Sequence, residues 1–265
     1  MNRLAQIKML NQMLLGETPT PPVDPSAYGS DEAGQRALMR ALMNVRPPKP
    51  MSLIVENLQD AILKSFLEDK GVVDGAALPV SRTDSRLALW QGDITRLKVG
   101  AIVNAANSQM LGCFVPGHSC IDNAIHSAAG MQLRNACAAL MAGQDGPEPT
   151  GQAKVTPAYN LPCQCVIHTV GPIVEGELTQ GDVDALASCY RSCLDAADDA
   201  DLDSIAFCCI STGVFRFPQD KAAEIAVSTV KDWLDAHPQT SVKKVVFNVF
   251  KDEDWRLYDA LLNQA

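Results

Sequence analysis

Apolar side chains recur at helical spacing three times along this chain before any strand-like run occurs. Leu4, Ile7, Leu10, Leu14 and Leu15 mark the first pattern, and Pro19, Pro21, Pro22 and Pro25 forbid its continuation. Ala33 to Val45 repeats it through Leu38, Leu42 and Met43 and stops at Pro47, Pro48 and Pro50. Met51 to Lys70, with Ile54, Leu58, Ile62, Leu63 and Phe66, makes the third and ends before Gly71. Residues 1–80 are therefore expected to form a helical N-terminal extension whose apolar stripe packs on the rest of the chain. A partner-binding face is the alternative, and packing is the more frequent use of such a stripe.

From about Arg86 the pattern changes, and residues 81–265 read as a second unit. Short apolar runs bounded by turn residues predict strands at Leu87 to Gly92, Gly100 to Asn104, Lys154 to Ala158, Cys165 to Val170, Ser204 to Ile210 and Lys244 to Val249. Helical spacing occupies Ile121 to Met141, Val183 to Ala200, Gln219 to Ala236 and Asp254 to Asn263. Alternation of this kind implies an α/β domain with its sheet covered on both faces and its ligand at the strand ends where loops gather.

Composition narrows the function. A length of 265 residues with 47% hydrophobic content can bury one substantial core and a smaller appendage. The net charge of -9 argues against nucleic acid and against anionic membrane as partners, so an anionic ligand would have to be held by local backbone donors. Arg3, Gln6, Lys8, Asn11 and Gln12 interrupt the opening stretch, which does not read as a secretory signal, and no apolar run approaches the roughly 20 residues of a membrane span. Nine cysteines, an odd number, then suggest a reduced, cytoplasmic setting, in which a Cys and His cluster is more often metal-binding or catalytic than disulfide-bonded.

Such a cluster exists between Asn104 and Gly130. After the apolar Ala101-Ile102-Val103 comes a loop in which Cys113, His118 and Cys120 fall within eight residues, followed by a helical pattern from Ile121. All three are strong zinc ligands, and three is one short of a closed structural site, which favours a working metal. C-x4-H-x-C is not one of the well-specified finger spacings, and unpaired cysteines often serve as small buried hydrophobes. Gly112, Pro116 and Gly117 suit a tight loop, and Asp122 with Asn123 places polar groups in the first helical turn.

The same residues carry a resemblance to macrodomains, the ADP-ribose-binding modules, and more narrowly to the zinc-containing bacterial macrodomains that remove ADP-ribose from proteins. Asn104-Ala105-Ala106-Asn107 and Ile121-Asp122-Asn123-Ala124-Ile125-His126-Ser127-Ala128-Ala129-Gly130 are similar to the family's NAAN and V-D-x-A-I-H-x-A-A-G segments. The usual glycine run before the Asp is replaced by Gly117-His118-Ser119-Cys120, as in the zinc class. Over about Leu87 to Leu262 the resemblance implies a three-layer α/β/α sandwich with a mixed sheet. Gln91-Gly92-Asp93-Ile94-Thr95 resembles the family's adenine-recognition segment, which gives Asp93 and Ile94 that role; otherwise Asp93 reads as a cap or turn residue. Ile210-Ser211-Thr212-Gly213-Val214-Phe215-Arg216-Phe217-Pro218 resembles the pyrophosphate loop, with Arg216 in place of a glycine, or else is an ordinary strand-to-helix turn.

The resemblance implies one zinc ion per chain on Cys113, His118 and Cys120, and hydrolytic removal of mono-ADP-ribose from protein Asp or Glu esters. Asn107, Cys113, His118, Cys120 and Asp122 are the catalytic candidates. Asp93, Ile94, Asn107, Ile121, Asp122 and Ser211, Thr212, Gly213, Val214 and Phe215 are the ligand-binding ones, with Asn107 and Phe215 at the distal ribose. Orientation of the ribose is favoured over water activation as the metal's role, because two thiolates neutralise most of its charge. A non-catalytic ADP-ribose reader with a structural zinc is the alternative, and an interaction platform on the N-terminal helices a further one. Cys163, Cys165, Cys189, Cys193, Cys208 and Cys209 are expected in packing roles, His126 and His168 in structural ones, and His237 at a helix C-terminus.

Overall fold

The computed structural model describes residues 1–17 and 23–264, so Pro19, Pro21 and Pro22 lie outside the described residues. Three helices come first: α1 (Arg3–Leu15), α2 (Glu32–Val45) and α3 (Leu53–Lys70). Each begins at a side-chain cap, Asn2, Asp31 and Ser52 respectively, which accepts from an otherwise orphaned N–H of the first turn. Gly71, at φ +75°, closes α3.

The stripes of these helices face one another. Ile7, Leu10, Leu38, Leu42, Ile62 and Phe66 form one buried cluster, into which Met131 enters from the remainder of the chain. Three helices can bury each other's stripes, which leaves their contact with the second unit largely polar. Arg134 Nη1 donates to the carbonyls of Met43, Asn44 and Arg46 at 3.0, 2.8 and 2.6 Å, satisfying acceptors at the C-terminus of α2. Gln59 accepts from the Met131 N–H at 2.8 Å and donates to Gln132 at 2.6 Å. Past α3, β1 (Val73–Asp74) pairs in parallel with β3 (Leu97–Lys98).

The main sheet comprises β2 (Leu87–Gln91), β4 (Ala101–Ala106), β5 (Ala153–Pro157), β6 (Cys165–Val170), β7 (Ser204–Phe207) and β8 (Lys244–Val249), in the order β2-β8-β7-β4-β6-β5. All neighbours are parallel except β5, which runs antiparallel to β6 at the edge. Helices α4 (Ile121–Ala129), α5 (Met131–Met141), α6 (Gln180–Asp199), α7 (Gln219–Ala236) and α8 (Asp252–Asn263) cover it, giving the expected three layers. Both faces are covered, so the central strands are apolar throughout: Ala101, Ile102 and Val103 are fully buried on β4, as are Val245 and Val246 on β8.

The single helix expected over Ile121 to Met141 is two. Gly130 sits at φ +103°, and a Cβ there would lie 2.6 Å from Gln132 Oε1 and 2.7 Å from Gln59 Nε2. The break lets α5 turn toward the N-terminal helices. Helical periodicity continues through the break, which hides it from the sequence.

His168 on β6 faces Asn104 on β4 across the parallel register. Its Nδ1 lies 3.1 Å from Asn104 Nδ2 and its Nε2 2.9 Å from Thr156 Oγ1, so it is a satisfied core histidine. Full burial lowers its pKa to about 4. The unfolded chain therefore takes up this proton first, and the stability it confers is complete above about pH 6.5 and lost as pH falls toward 4. Urea unfolding should lose about 3 kcal/mol over that window from this group. His168→Gln should unfold with a shallower pH slope, and equal slopes for the two proteins would remove His168 as a source.

Candidate active site

Parallel strands end along one edge of the sheet, and the loops leaving β2, β4, β7 and β8 meet there around a cleft of about 1420 Å³. Asp93 and Ile94 line it after β2, His118, Cys120 and Ile121 after β4, Ser211 to Phe215 after β7, and Phe250 after β8. The wall opposite comes from α2 and α3, through Arg36, Arg40, Phe66 and Lys70.

The loop after β4 brings its three ligand candidates together. The donor atoms of Cys113, His118 and Cys120 all lie within 4.8 Å of one another, with Cys113 Sγ 3.7 Å from His118 Nδ1. Two left-handed glycines shape the loop, Gly112 at φ +78° and Gly117 at φ +66°. A Cβ on Gly112 would meet the His126 ring at 2.9 Å. Cys120 is the N-cap of α4, and its Sγ accepts the Asn123 N–H at 3.4 Å. Burial raises the Cys120 thiol to about 11, against the pull of that N–H, so it becomes a good ligand when a cation displaces its proton. Two sulfurs and an imidazole are a donor set that fits zinc. A second group of close donors, His126, Cys137 and His168, is fully enclosed in the core.

Asp122 and Asn107 stand behind this loop and not on the cleft wall. The Asp122 carboxylate, 5% exposed, accepts from Asn104 Nδ2 at 2.8 Å and from Asn107 Nδ2 at 3.2 Å, and lies 3.5 Å from His126 Nε2. Burial pushes its pKa up to about 6, while Asn104, Arg134 and Asn107 oppose the rise. Asn107 Nδ2 also reaches the Gly112 carbonyl at 3.2 Å. Both side chains thus support the base of the loop.

The remaining candidates sit as the loops place them. Asp93 Oδ1 caps its own turn through Thr95 N and Oγ1, at 3.1 and 2.6 Å, while Oδ2 pairs with Lys70 Nζ at 2.7 Å. Its pKa is lowered: burial raises it, and Lys70 and Thr95 together outweigh burial. In the loop after β7, Ser211 adopts φ +66°, and no backbone N–H from Ser211 through Phe215 donates to any described residue. Five successive free amides at the mouth of a cleft form an anion cradle. Gly171 makes room for this loop, since a Cβ there would fall 2.0 Å from Ser211 Oγ.

Four residues of the site escape sequence reading. Phe250 follows an apolar strand and is 76% exposed inside the cleft, a position that a strand-end aromatic could have signalled. Asn104 lies within the NAAN segment and holds Asp122. Arg40 and Lys70 have no local signal, being remote charged residues on helices.

Comparison with known proteins agrees with this geometry. The Macro domain family matches residues 103–226. A protein-ADP-ribose hydrolase of Treponema medium is 54% identical over 88% of this chain and 89% of its own, and one of Staphylococcus aureus is 50% identical over 86% and 84%. The Trypanosoma brucei macrodomain in complex with ADP-ribose superposes with a TM-score of 0.65 at 30% identity, covering 83% of this chain and 94% of that one. An Oceanobacillus iheyensis macrodomain mutant with ADP-ribose gives 0.59 at 36% identity, over 65% and 89%. Relatives at this identity, aligned over nearly their whole length, share more than a fold, and the chain belongs to the macro domain family.

Proposed function

We propose that this protein is a hydrolase that releases ADP-ribose from modified protein side chains, with zinc at Cys113, His118 and Cys120. The observation that carries the reading is that the Cys113, His118 and Cys120 donors meet one another, and that His118 and Cys120 share one cleft with the adenine-side Asp93 and the amides of Ser211 to Phe215. The names of the Treponema and Staphylococcus relatives support the activity, and the Trypanosoma and Oceanobacillus complexes support the ligand.

The chain's own groups divide the ligand among them. Asp93 accepts from the adenine amino group, and Ile94 offers its backbone N–H to the ring. Phe250 presents an apolar face beside them. The diphosphate lies on the amides of Ser211 to Phe215, which suits a protein whose net charge of -9 would otherwise repel it. Val214 and Phe215 close the side toward the distal ribose, and Ile121 opens the helix whose positive end faces it. When bound, zinc supplies a cationic anchor that orients the distal ribose. Asn107 and Asp122, the latter held by Asn104, keep the floor of the loop in place beside the anomeric carbon. Cleavage there separates the sugar from an Asp or Glu ester.

Incubation with a protein bearing mono-ADP-ribose on Asp or Glu, followed by mass spectrometry of free ADP-ribose, should give release that zinc restores after chelation. Cys113→Ala should abolish release while ADP, which lacks the distal ribose, still binds. Undiminished release from metal-free protein would refute the zinc assignment. Binding without release under either condition would make the protein a reader.

Asp93→Ala should weaken ADP-ribose binding about tenfold or more, the loss expected for a charge-assisted hydrogen bond of about 1.5–3 kcal/mol. Calorimetric titration with ADP-ribose checks it. An unchanged Kd would return Asp93 to a purely capping role.

A further inference from the structure

The N-terminal helices do more than cover the cleft. Arg40 and Asn44 lie one turn apart on α2, and both reach the loop that carries Cys113, His118 and Cys120. Arg40 Nη2 donates to the His118 backbone carbonyl at 2.8 Å and to Asn123 Oδ1 at 2.7 Å, with Nε also within 3.2 Å of that oxygen. Asn44 Oδ1 accepts the Gly117 N–H at 3.0 Å, and Asn44 Nδ2 donates to Ser127 Oγ at 3.0 Å.

These bonds converge on Asn123, which is fully buried. Its Oδ1 takes Arg40 and Ser127 Oγ, its Nδ2 donates to the Val115 carbonyl at 3.0 Å, and its backbone N–H reaches Cys120 Sγ. The loop between Cys113 and Cys120 makes few bonds of its own; His118 N to Val115 O, at 3.2 Å, is one. Gly117, with φ +66° and open space around its Cα, adds no stiffness by packing. The side-chain bonds that reach the backbone of Gly117 and His118 come from a helix some 80 residues earlier.

We propose that Arg40 and Asn44 are positioning residues of the zinc site, so that α2 is a working part of it and not an appendage. The inference rests on the zinc reading above. Groups that hold a metal-binding loop from behind typically change metal affinity by about 10–100-fold when removed. They act by preorganisation: a loop that must be ordered on binding spends part of the binding energy on its own conformational entropy.

The test is a zinc competition titration against a chromophoric chelator, using the parent chain, Arg40→Ala, Arg40→Lys, Asn44→Ala and Cys113→Ser, with circular dichroism recorded on each metal-free protein and ADP affinity measured on the parent and Asn44→Ala. Arg40→Ala and Asn44→Ala should bind zinc about 10–100-fold more weakly than the parent, with the circular dichroism of the metal-free proteins unchanged and, in Asn44→Ala, which stands off the cleft, ADP affinity preserved. Arg40→Lys, which can still reach one of the two acceptors, should fall between, and the cobalt-substituted spectrum of Arg40→Ala should broaden. Zinc affinity within twofold of the parent in both alanine variants would overturn the proposal while leaving the zinc reading intact. Loss of helical circular dichroism in both alanine variants alongside the loss of zinc affinity would overturn it too, since that would mark general unfolding. A parent that binds zinc no better than Cys113→Ser would sink the zinc reading and this inference with it.

Discussion

Arg134 is where the two halves of this protein are held together. Its guanidinium donates to the carbonyls of Leu111 and Cys113 in the metal-candidate loop and to those of Met43, Asn44 and Arg46 at the end of α2. A buried acceptor left without a donor costs about 1–3 kcal/mol, so one side chain answering several of them makes helix end and loop interdependent. The same cation lies over the Phe114 ring, 4.2 Å from its centroid, and helps offset the buried charge of Asp122. The position of α5 follows from this, and so does the break at Gly130 that aims α5 there.

Around that clamp the polar groups form a continuous chain. Asn104 and Asn107 hold Asp122 from the strand side, while Arg40 and Ser127 hold Asn123 from the helix side, Ser127 itself being held by Asn44. Adjacent residues of one helical turn thus look in opposite directions, one toward the sheet and one toward the N-terminal helices. The loop is pinned between them, with His118 and Cys120 on the cleft wall. Low dielectric strengthens each bond of such a network and raises the cost of each missing one, which favours a single arrangement.

Charge is distributed to the same end. In this acidic protein the backbone amides of Ser211 to Phe215 after β7 are left without partners among the described residues, so the proposed diphosphate would need neither a lysine nor an arginine to be desolvated. Of the basic side chains at the cleft, Lys251 follows β8, and Arg36, Arg40 and Lys70 stand on the far wall. Lys70 neutralises Asp93, and Arg36 lies over Phe66 at 4.0 Å from the ring centroid.

The sequence determined most of the architecture. Short apolar runs placed the strands and period-3.6 patterning the helices, with α7 and β6 at their observed limits, because such patterns report directly what each element buries. It also marked Cys113, His118 and Cys120, since ligand types close in sequence are close in space whatever the fold. The division of α4 from α5 was hidden, as a glycine within a helical period carries no mark of its φ. Tertiary structure alone decided the rest. Only the meeting of residues 40 and 44 with residues 117 to 127 shows that α2 supports the loop, and only the sheet order brings Asp93, Ser211 and Phe250 to one edge. Local pattern records what each segment buries; it does not record which distant segment supplies the missing hydrogen-bond partner, because that choice is made by the packing of the whole chain.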